Sequence, residues 1–575
     1  MSSKIGVRVN ENKQGEGSRD DSRPVADDLE SFSDRAFSAV PELGSGRRWQ
    51  DALYNVLSWI DSSWRAKLVP HRGRRWINRR MVSLMTFRQA EVYRAWSLDD
   101  PRQNLIVADD EHVHIPALWL VEFFPPSQFE NLASALKRKS WGEDHAWTGS
   151  GPTGREILEQ SRTGKGWSWW RLADVIDPDS DRWSPDSLRE KLPDQFDQVS
   201  LIAIQIGAGL TAVLARFDIN KESAKAVDDI WHETHEPEVV RNFGRPMAQG
   251  RMWTKFRKTQ QARRSIHDAA RRWLADSCPG FFAAHSRLHP LVDLILTEQG
   301  DPFADSDSEA AQRESMRALG LTDYSIRSRT SEDLPGLVVE PASKTLTPTI
   351  GGAETWAIWG NRNTVEERME NLAAYGGGRI DGIVHVTQEH ARNFFVLLAV
   401  SRMTMHMDED YARLRDEAQT RHGRFKGKGL KLLRASFLTL SLDLTSVARD
   451  LQRFHGRKWR DTGDAQFMVG WFPQSADAYA AQGGKVPEPT SMNKELEQRQ
   501  SEWFEDLIAA DRDYREILST VAALGASNDS LKISRVALWL AFVSLMIAMV
   551  TLLVAEVKPQ NLLSFIVEWV ASRLR

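Results

Sequence analysis

Cysteine is almost absent from this sequence, since Cys278 is the only one among 575 residues. A single thiol excludes an intramolecular disulfide and any zinc site built from several cysteines, and it is typical of a reducing compartment. The start of the chain also lacks the apolar segment of a secretion signal: residues 1–30 are polar and predict a disordered tail. Both absences favour a cytoplasmic location for most of the chain.

An excess of one charge is absent as well. The 75 basic and 79 acidic residues leave a net charge of −4, so any attraction to nucleic acid or anionic lipid must be local. Apolar residues make up 41% of the chain, which is ordinary for a globular protein, and the length predicts two to four domains.

Complete catalytic motifs are missing too. Gly149 to Gly154 has the glycine spacing of a phosphate-binding loop, but Arg155 and Glu156 stand where that loop needs lysine and serine or threonine. His232 and His235 lie three residues apart, so a helix would place both on one face, yet the zinc-protease motif needs a spacing of four. We therefore predict no catalytic residue, no metal site and no particular cofactor.

One long hydrophobic run is present near the C-terminus. Residues Val536 to Ala555 contain no charge over twenty positions, and as a helix they would span about 30 Å, the thickness of a bilayer core. This predicts a transmembrane helix over 536–555; a buried core helix is the alternative. The apolar part of residues 561–575 is too short to cross a bilayer and predicts an interfacial amphipathic tail.

The segment before this run, residues 492–534, has apolar residues at alternating spacings of three and four. This is the pattern of a coiled-coil stalk, and it predicts a homo-oligomer. An amphipathic helix packed on its own domain is the alternative. The oligomerisation residues that we predict are Trp503, Leu507, Tyr514, Ile517, Val521 and Leu524.

The remaining chain divides into segments that differ in their residue patterns. Residues 100–220 hold strand-like segments and predict an α/β domain, in which the uncharged run Val199 to Ala215 is interpreted as a buried β-hairpin. The other predicted parts are a helical segment at 46–98, a basic helical segment at 221–300, a linker at 301–350 and a mainly helical domain at 351–490.

The basic segment contains the best predicted contact for a polyanion. Basic side chains alternate there with aromatic ones, which is typical of surfaces that bind a nucleotide, nucleic acid or anionic lipid. Pairing of these side chains with acidic segments elsewhere in the chain is the alternative. The predicted polyanion-binding residues are Arg251, Lys255, Arg257, Lys258, Arg263 and Arg264.

Together these features predict an α+β, predominantly helical fold, with helical and small α/β cytoplasmic domains, a long stalk helix and one transmembrane helix. We expect an oligomeric, membrane-anchored sensor or effector with membrane lipid as a partner. The alternative is a membrane-tethered enzyme or a polyanion- or nucleotide-binding domain whose site the sequence does not reveal.

Overall fold

A computed structural model describes most of the chain from residue 48 onward. The residues it does not describe are 1–47, 63, 96–103, 143–151, 166–167, 181, 183–186, 243–244, 304–314, 322–326, 343–354, 370–371, 373–378, 422–426, 457–463 and 555–561. The predicted tail at 1–30 and the first half of the loop at 149–154 therefore lie outside the described residues.

A single mixed sheet organises the described part of the chain. Its twelve strands are β1 (Val113–His114), β2 (Ala117–Phe124), β3 (Trp169–Ile176), β4 (Ser187–Arg189), β5 (Phe196–Gln205), β6 (Thr211–Ile219), β9 (Leu291–Thr297), β10 (Arg327–Thr330), β11 (Val338–Pro341), β12 (Thr355–Asn361), β13 (Met468–Trp471) and β14 (Thr490–Ser491). They follow the order β14-β13-β10-β11-β12-β9-β2-β6-β5-β3-β4, with β1 paired to β9. The pairs β9–β12 and β3–β4 are parallel and the others antiparallel.

The central strands have no face open to water. Every residue of β2, β6 and β9 is buried, which fits their nearly continuous apolar sequences, since a strand covered on both faces needs no polar alternation. The predicted hairpin at Val199 to Ala215 is confirmed: β5 and β6 pair antiparallel from Phe196↔Ile219 to Gln205↔Thr211.

Helices cover the sheet on both sides. Each face has its own apolar core, and side chains of β2 alternate between the two, with Trp119 and Val121 on one face and Leu118 and Leu120 on the other. The first face is covered by α10 (Arg379–Arg421), α11 (Gly427–His455) and α13 (Met492–Val554). The second is covered by α4 (Phe129–Lys139), α5 (Gly154–Arg162), α6 (Lys221–His232) and α7 (Arg251–Ser277).

Smaller elements complete the fold. A helical pair near the start of the chain has a small core of Leu57, Ile77 and Leu84 and contacts a separate two-stranded ribbon. These elements are α1 (Arg48–Asp61), α2 (Arg65–Leu68), α3 (His71–Ala95), β7 (Glu238–Asn242) and β8 (Arg245–Gln249). The others are α8 (Phe281–Ala284), α9 (Arg362–Arg368), α12 (Pro473–Ala481), α14 (Leu562–Arg573) and 3₁₀ turns at Pro126–Gln128 and Arg317–Leu319.

The mixed α+β class is therefore confirmed, but the sheet is built from more of the chain than the sequence indicated. Its strands come from all four predicted segments between residues 100 and 490. The segment 351–490, which was predicted as mainly helical, supplies β12 and β13. The strand β9, which we placed in the basic helical segment, lies at the centre of the sheet. The change in residue pattern at residue 220 marks the beginning of α6, and further strands of the sheet follow it in the chain.

Candidate functional site

The helix α13 begins inside the fold and ends far outside it. Over its first turns it packs between α10 and α11, where Phe504 and Leu507 are each 4% exposed in the core. Gln500 is fully buried in this contact. Its side-chain nitrogen donates to the Leu397 carbonyl (2.7 Å) and to the Ser401 hydroxyl (2.9 Å), and its oxygen lies 3.1 Å from His455 Nε2.

In the described part of the chain, the far part of the same helix is exposed. Ile533–Leu552 is twenty residues long, with a mean hydropathy of 2.1 and no buried residue. Leu538 and Trp539 are 74% and 70% exposed. Among the described residues this helix is the one long and apolar enough to cross a membrane. A buried core helix, the alternative interpretation of this run, does not fit these exposures.

The stalk residues that we predicted for oligomerisation do not share one free surface. Leu507 is buried in the core of its own chain, and Tyr514 packs against Tyr411 and Phe437, with ring centroids 6.1 and 6.0 Å away. Trp503 is half-buried. The side chains of Ile517, Val521 and Leu524 lie outside the described residues, although α13 continues through these positions. The first part of the seam therefore serves the alternative role, packing against its own domain.

Four of the six predicted polyanion-binding side chains lie inside the protein: Arg251, Lys255, Arg257 and Arg263 are 1–7% exposed. Arg251 donates to the Tyr93 carbonyl (3.2 Å), and Arg257 pairs with Glu238. The predicted site is therefore not one open basic surface.

Burial also changes the chemistry of this segment. Lys255 donates to the Leu105 carbonyl (2.8 Å), and burial lowers its pKa to about 8. Lys258 lies 3.2 Å from Glu238 with 38% of its side chain exposed, and Arg264 is half-buried. Polyanion binding stays a prediction, carried by these two more accessible side chains.

A buried charged group joins this helix to the sheet. Asp293 of β9 pairs with Arg263, and His267 Nε2 lies 2.9 Å from its second oxygen; all three are almost completely buried. Burial alone would raise the pKa of Asp293, but the positive charge and hydrogen bonds of its neighbours hold it at about 2. Burial lowers the pKa of His267.

Two other groups have structural roles. His406 and Asp410 are both buried and pair with Arg287, whose guanidinium lies 2.8 Å from Asp410. Cys278 is a buried thiol, and burial raises its pKa far above the ordinary value, so it is not an activated nucleophile.

His232 and His235 do not form a pair, because α6 ends at His232. His235 turns inward, with Nε2 3.0 Å from the Ile230 carbonyl. His232 instead meets a partner that sequence spacing could not reveal. Together with Asp228, one turn earlier in α6, and His112, just before β1, it forms a group whose potential ligand atoms all lie within 4.8 Å of one another.

This group lies where the parallel strands β9 and β12 end. Asp228 accepts the Val113 main-chain N–H (2.9 Å) and so joins α6 to β1, which itself pairs with the last residues of β9. Glu298, directly after β9, lies 3.0 Å from His114. The hydrogen bond to Asp228 raises the pKa of His112, whose side chain is 47% exposed. Carboxyl ends of parallel strands are a common place for binding sites in α/β proteins.

A buried carboxylate supports this edge from behind. Glu111 is 1% exposed and accepts the main-chain N–H groups of Glu298 (2.9 Å), Gln299 (3.2 Å) and Gly300 (2.6 Å). Burial raises the pKa of Glu111, and the same N–H groups oppose that rise. The turn after β9 is thereby fixed next to His112 and His114.

Comparison with known proteins supplies no identity for these features. The chain matches no protein-family model, no curated protein and no solved structure.

Proposed function

We propose that this protein is a membrane-anchored sensor or effector, whose α/β fold lies in the cytoplasm and is coupled to the bilayer by α13. A single observation carries the proposal. One unbroken helix, Met492–Val554, supplies core residues at one end and an unburied, predominantly apolar segment of twenty residues at the other. Such a surface is unfavourable in water by about 25 cal/mol per Å² of apolar area, so a bilayer is its natural environment.

The attachment of α13 to α10 and α11 favours mechanical coupling between the soluble fold and the membrane-directed end of the helix. Tyr411 of α10 donates to Asp511 (3.0 Å), and Ser441 of α11 donates to the other oxygen of the same carboxylate (3.0 Å). Together with Gln500, these bonds fix α13 to both neighbouring helices before it leaves the fold. A shift of α10 or α11 would therefore translate or rotate the membrane-directed end, as in other helix-based switches.

Oligomerisation remains part of the proposal, but through a different interface from the one that the sequence pattern predicted. Since Leu507 and Tyr514 pack within their own chain, association would use the part of α13 beyond Tyr514 and the membrane helix itself. Two-dimensional confinement in one membrane, with all copies in the same orientation, would favour such parallel contacts.

Fractionation tests the proposal. Cells would express the full chain or a version that stops after Ser534, and membranes would be washed with alkaline carbonate. We expect only the full chain to resist the wash, and to run as an oligomer in mild detergent. A full chain that washes off would refute the anchor. A full chain that resists the wash but runs as a monomer would leave the anchor and refute the oligomer.

A membrane-tethered enzyme is the second candidate. The observation that favours it is the His112, Asp228 and His232 group at the carboxyl ends of β9 and β12, where α/β enzymes often place their chemistry.

A further inference from the structure

We propose that His112, Asp228 and His232 form a binding site for one divalent transition-metal ion, with Zn²⁺ as the ion that fits best. This inference does not depend on membrane anchoring, because all three residues belong to the soluble fold.

The spacing of the potential ligand atoms matches a zinc centre. Tetrahedral Zn²⁺ with ligands at about 2.0–2.1 Å separates any two ligand atoms by roughly 3.3 Å. Here His112 Nδ1 lies 2.9 Å from Asp228 Oδ2, and the potential ligand atoms of all three residues lie within 4.8 Å of one another. Small side-chain rotations would therefore bring all three groups to bonding distance of one ion.

The two imidazole rings have a matching arrangement. Rings that bind one tetrahedral zinc ion through nitrogen have centres roughly 5 Å apart. The His112 and His232 ring centroids are 5.3 Å apart, with planes inclined by 39°.

Neighbouring groups hold the potential ligands in position. Asp228 Oδ1 accepts the Val113 N–H, and His232 Nδ1 lies 2.9 Å from the Asp228 carbonyl. The other ring nitrogen of His232, Nε2, is buried and has no hydrogen-bond partner among the described residues. A ring with one nitrogen near a main-chain carbonyl and the other unpaired has the arrangement that metal-binding histidines usually adopt.

The ligand types select the class of ion. Two imidazoles and one carboxylate suit Zn²⁺ and its neighbours, whereas Mg²⁺ and Ca²⁺ prefer oxygen alone. Three protein ligands leave a fourth position, and the 47% exposure of His112 leaves it open to water or a small anion. His114, two residues after His112 and paired with Glu298, is not in the ligand set, so it provides a matched control.

The experiment uses the full chain, without a histidine tag, purified in mild detergent and treated with a chelator. Zn²⁺ is titrated by calorimetry, and Co²⁺ is added as a spectroscopic substitute that gives visible absorption bands in tetrahedral sites. The variants are His112→Ala, Asp228→Asn, His232→Ala and the control His114→Ala. Because His112 is exposed, His112→Ala leaves the core intact, and circular dichroism checks this for every variant.

We expect one Zn²⁺ per chain and tetrahedral Co²⁺ bands in the natural protein and in His114→Ala. His112→Ala and His232→Ala should each weaken Zn²⁺ binding at least tenfold and abolish the bands. Absence of stoichiometric binding, unchanged affinity in folded His112→Ala, or an equal loss in His114→Ala would each overturn the proposal.

Discussion

Arg263 and Asp293 form an ion pair in the interior of the protein, where their side chains are 1% and 0% exposed. A buried charge that loses its partner is strongly unfavourable, typically by about 3–5 kcal/mol. We therefore expect Asp293→Asn to lower the free energy of unfolding by about 3–5 kcal/mol, because the buried guanidinium of Arg263 would lose its charged partner. Urea denaturation of the full chain in detergent, followed by tryptophan fluorescence, measures the change.

An exposed carboxylate provides the control. Asp229 pairs with Lys225 at 2.6 Å, but these side chains are 59% and 71% exposed. Pairs of this kind contribute at most about 1 kcal/mol. Asp229→Asn should therefore leave the denaturation midpoint almost unchanged. Equal losses in the two variants would contradict the large contribution expected of the buried Arg263–Asp293 pair.

The buried histidine next to this pair predicts a dependence on pH. Burial lowers the pKa of His267, while its pKa in the unfolded chain is about 6.5. Below that pH the unfolded chain binds a proton that the folded chain resists, so stability is full above pH 6.5 and is lost as the pH falls. One such proton changes the unfolding free energy by about 1.4 kcal/mol per pH unit.

His267→Gln should reduce this slope between pH 6.5 and 5, as measured by denaturation at several pH values. The slope should not vanish, because burial also lowers the pKa values of His235, His385 and His406. The carboxylate of Asp293, with a pKa of about 2, would contribute only below about pH 4. An unchanged slope in His267→Gln would mean that the ring is protonated in the folded protein.

Local sequence patterns predicted individual secondary-structure elements, but they did not predict which distant residues pair with each other in the fold. The hairpin at Val199 to Ala215 and the membrane-type helix follow from residue texture over a short window, which is what periodicity measures. Arg263 looked like a surface charge because its partner, Asp293, lies 30 residues away on a strand that sequence reasoning did not find. Nothing in a single sequence indicates which distant carboxylate a basic helix will meet.

The same limit applies to the candidate metal site and to the stalk. His112 and Asp228 are 116 positions apart, so spacing rules for metal ligands could not join them. Gln500 lies three positions before Trp503 of the predicted seam. Its amide bonds to α10 and lies next to His455 of α11 within the same chain. A polar residue in an apolar seam was the available signal that this part of the seam packs internally.

The turn between β5 and β6 predicts a strict requirement for glycine. A Cβ atom at Gly207 would lie 2.2 Å from Cγ of Asp450, a buried side chain of α11 that accepts the Gly209 N–H at 2.5 Å. Overpacking of this kind costs about 1–3 kcal/mol. Gly207→Ala should lower the unfolding free energy by that amount in urea denaturation.

Gly470 is a suitable comparison, since its Cβ would meet Pro489 at an ordinary 3.6 Å. We expect Gly470→Ala to change stability by less than about 0.5 kcal/mol. If the two alanine variants were equally stable, the β5–β6 turn would be able to accommodate a Cβ atom next to Asp450, and the requirement for glycine at position 207 would be refuted.

Arginine substitutions at equally exposed apolar residues of two helices distinguish a lipid-facing helix from one that is exposed to water. Phe542 and Ile547 of the proposed span are 58% and 62% exposed, while Leu438 and Leu442 of α11 are 58% and 60% exposed. Arginine near the centre of a membrane helix disfavours insertion by about 2.5–3.5 kcal/mol per residue, whereas arginine on a water-exposed face has little effect. We therefore expect Phe542→Arg with Ile547→Arg to shift most of the protein from the carbonate-resistant membrane fraction to the soluble or aggregated fraction. The Leu438→Arg, Leu442→Arg variant should stay with the membrane. If both double variants remained in the membrane fraction, the contact with lipid would have to come from another part of the chain.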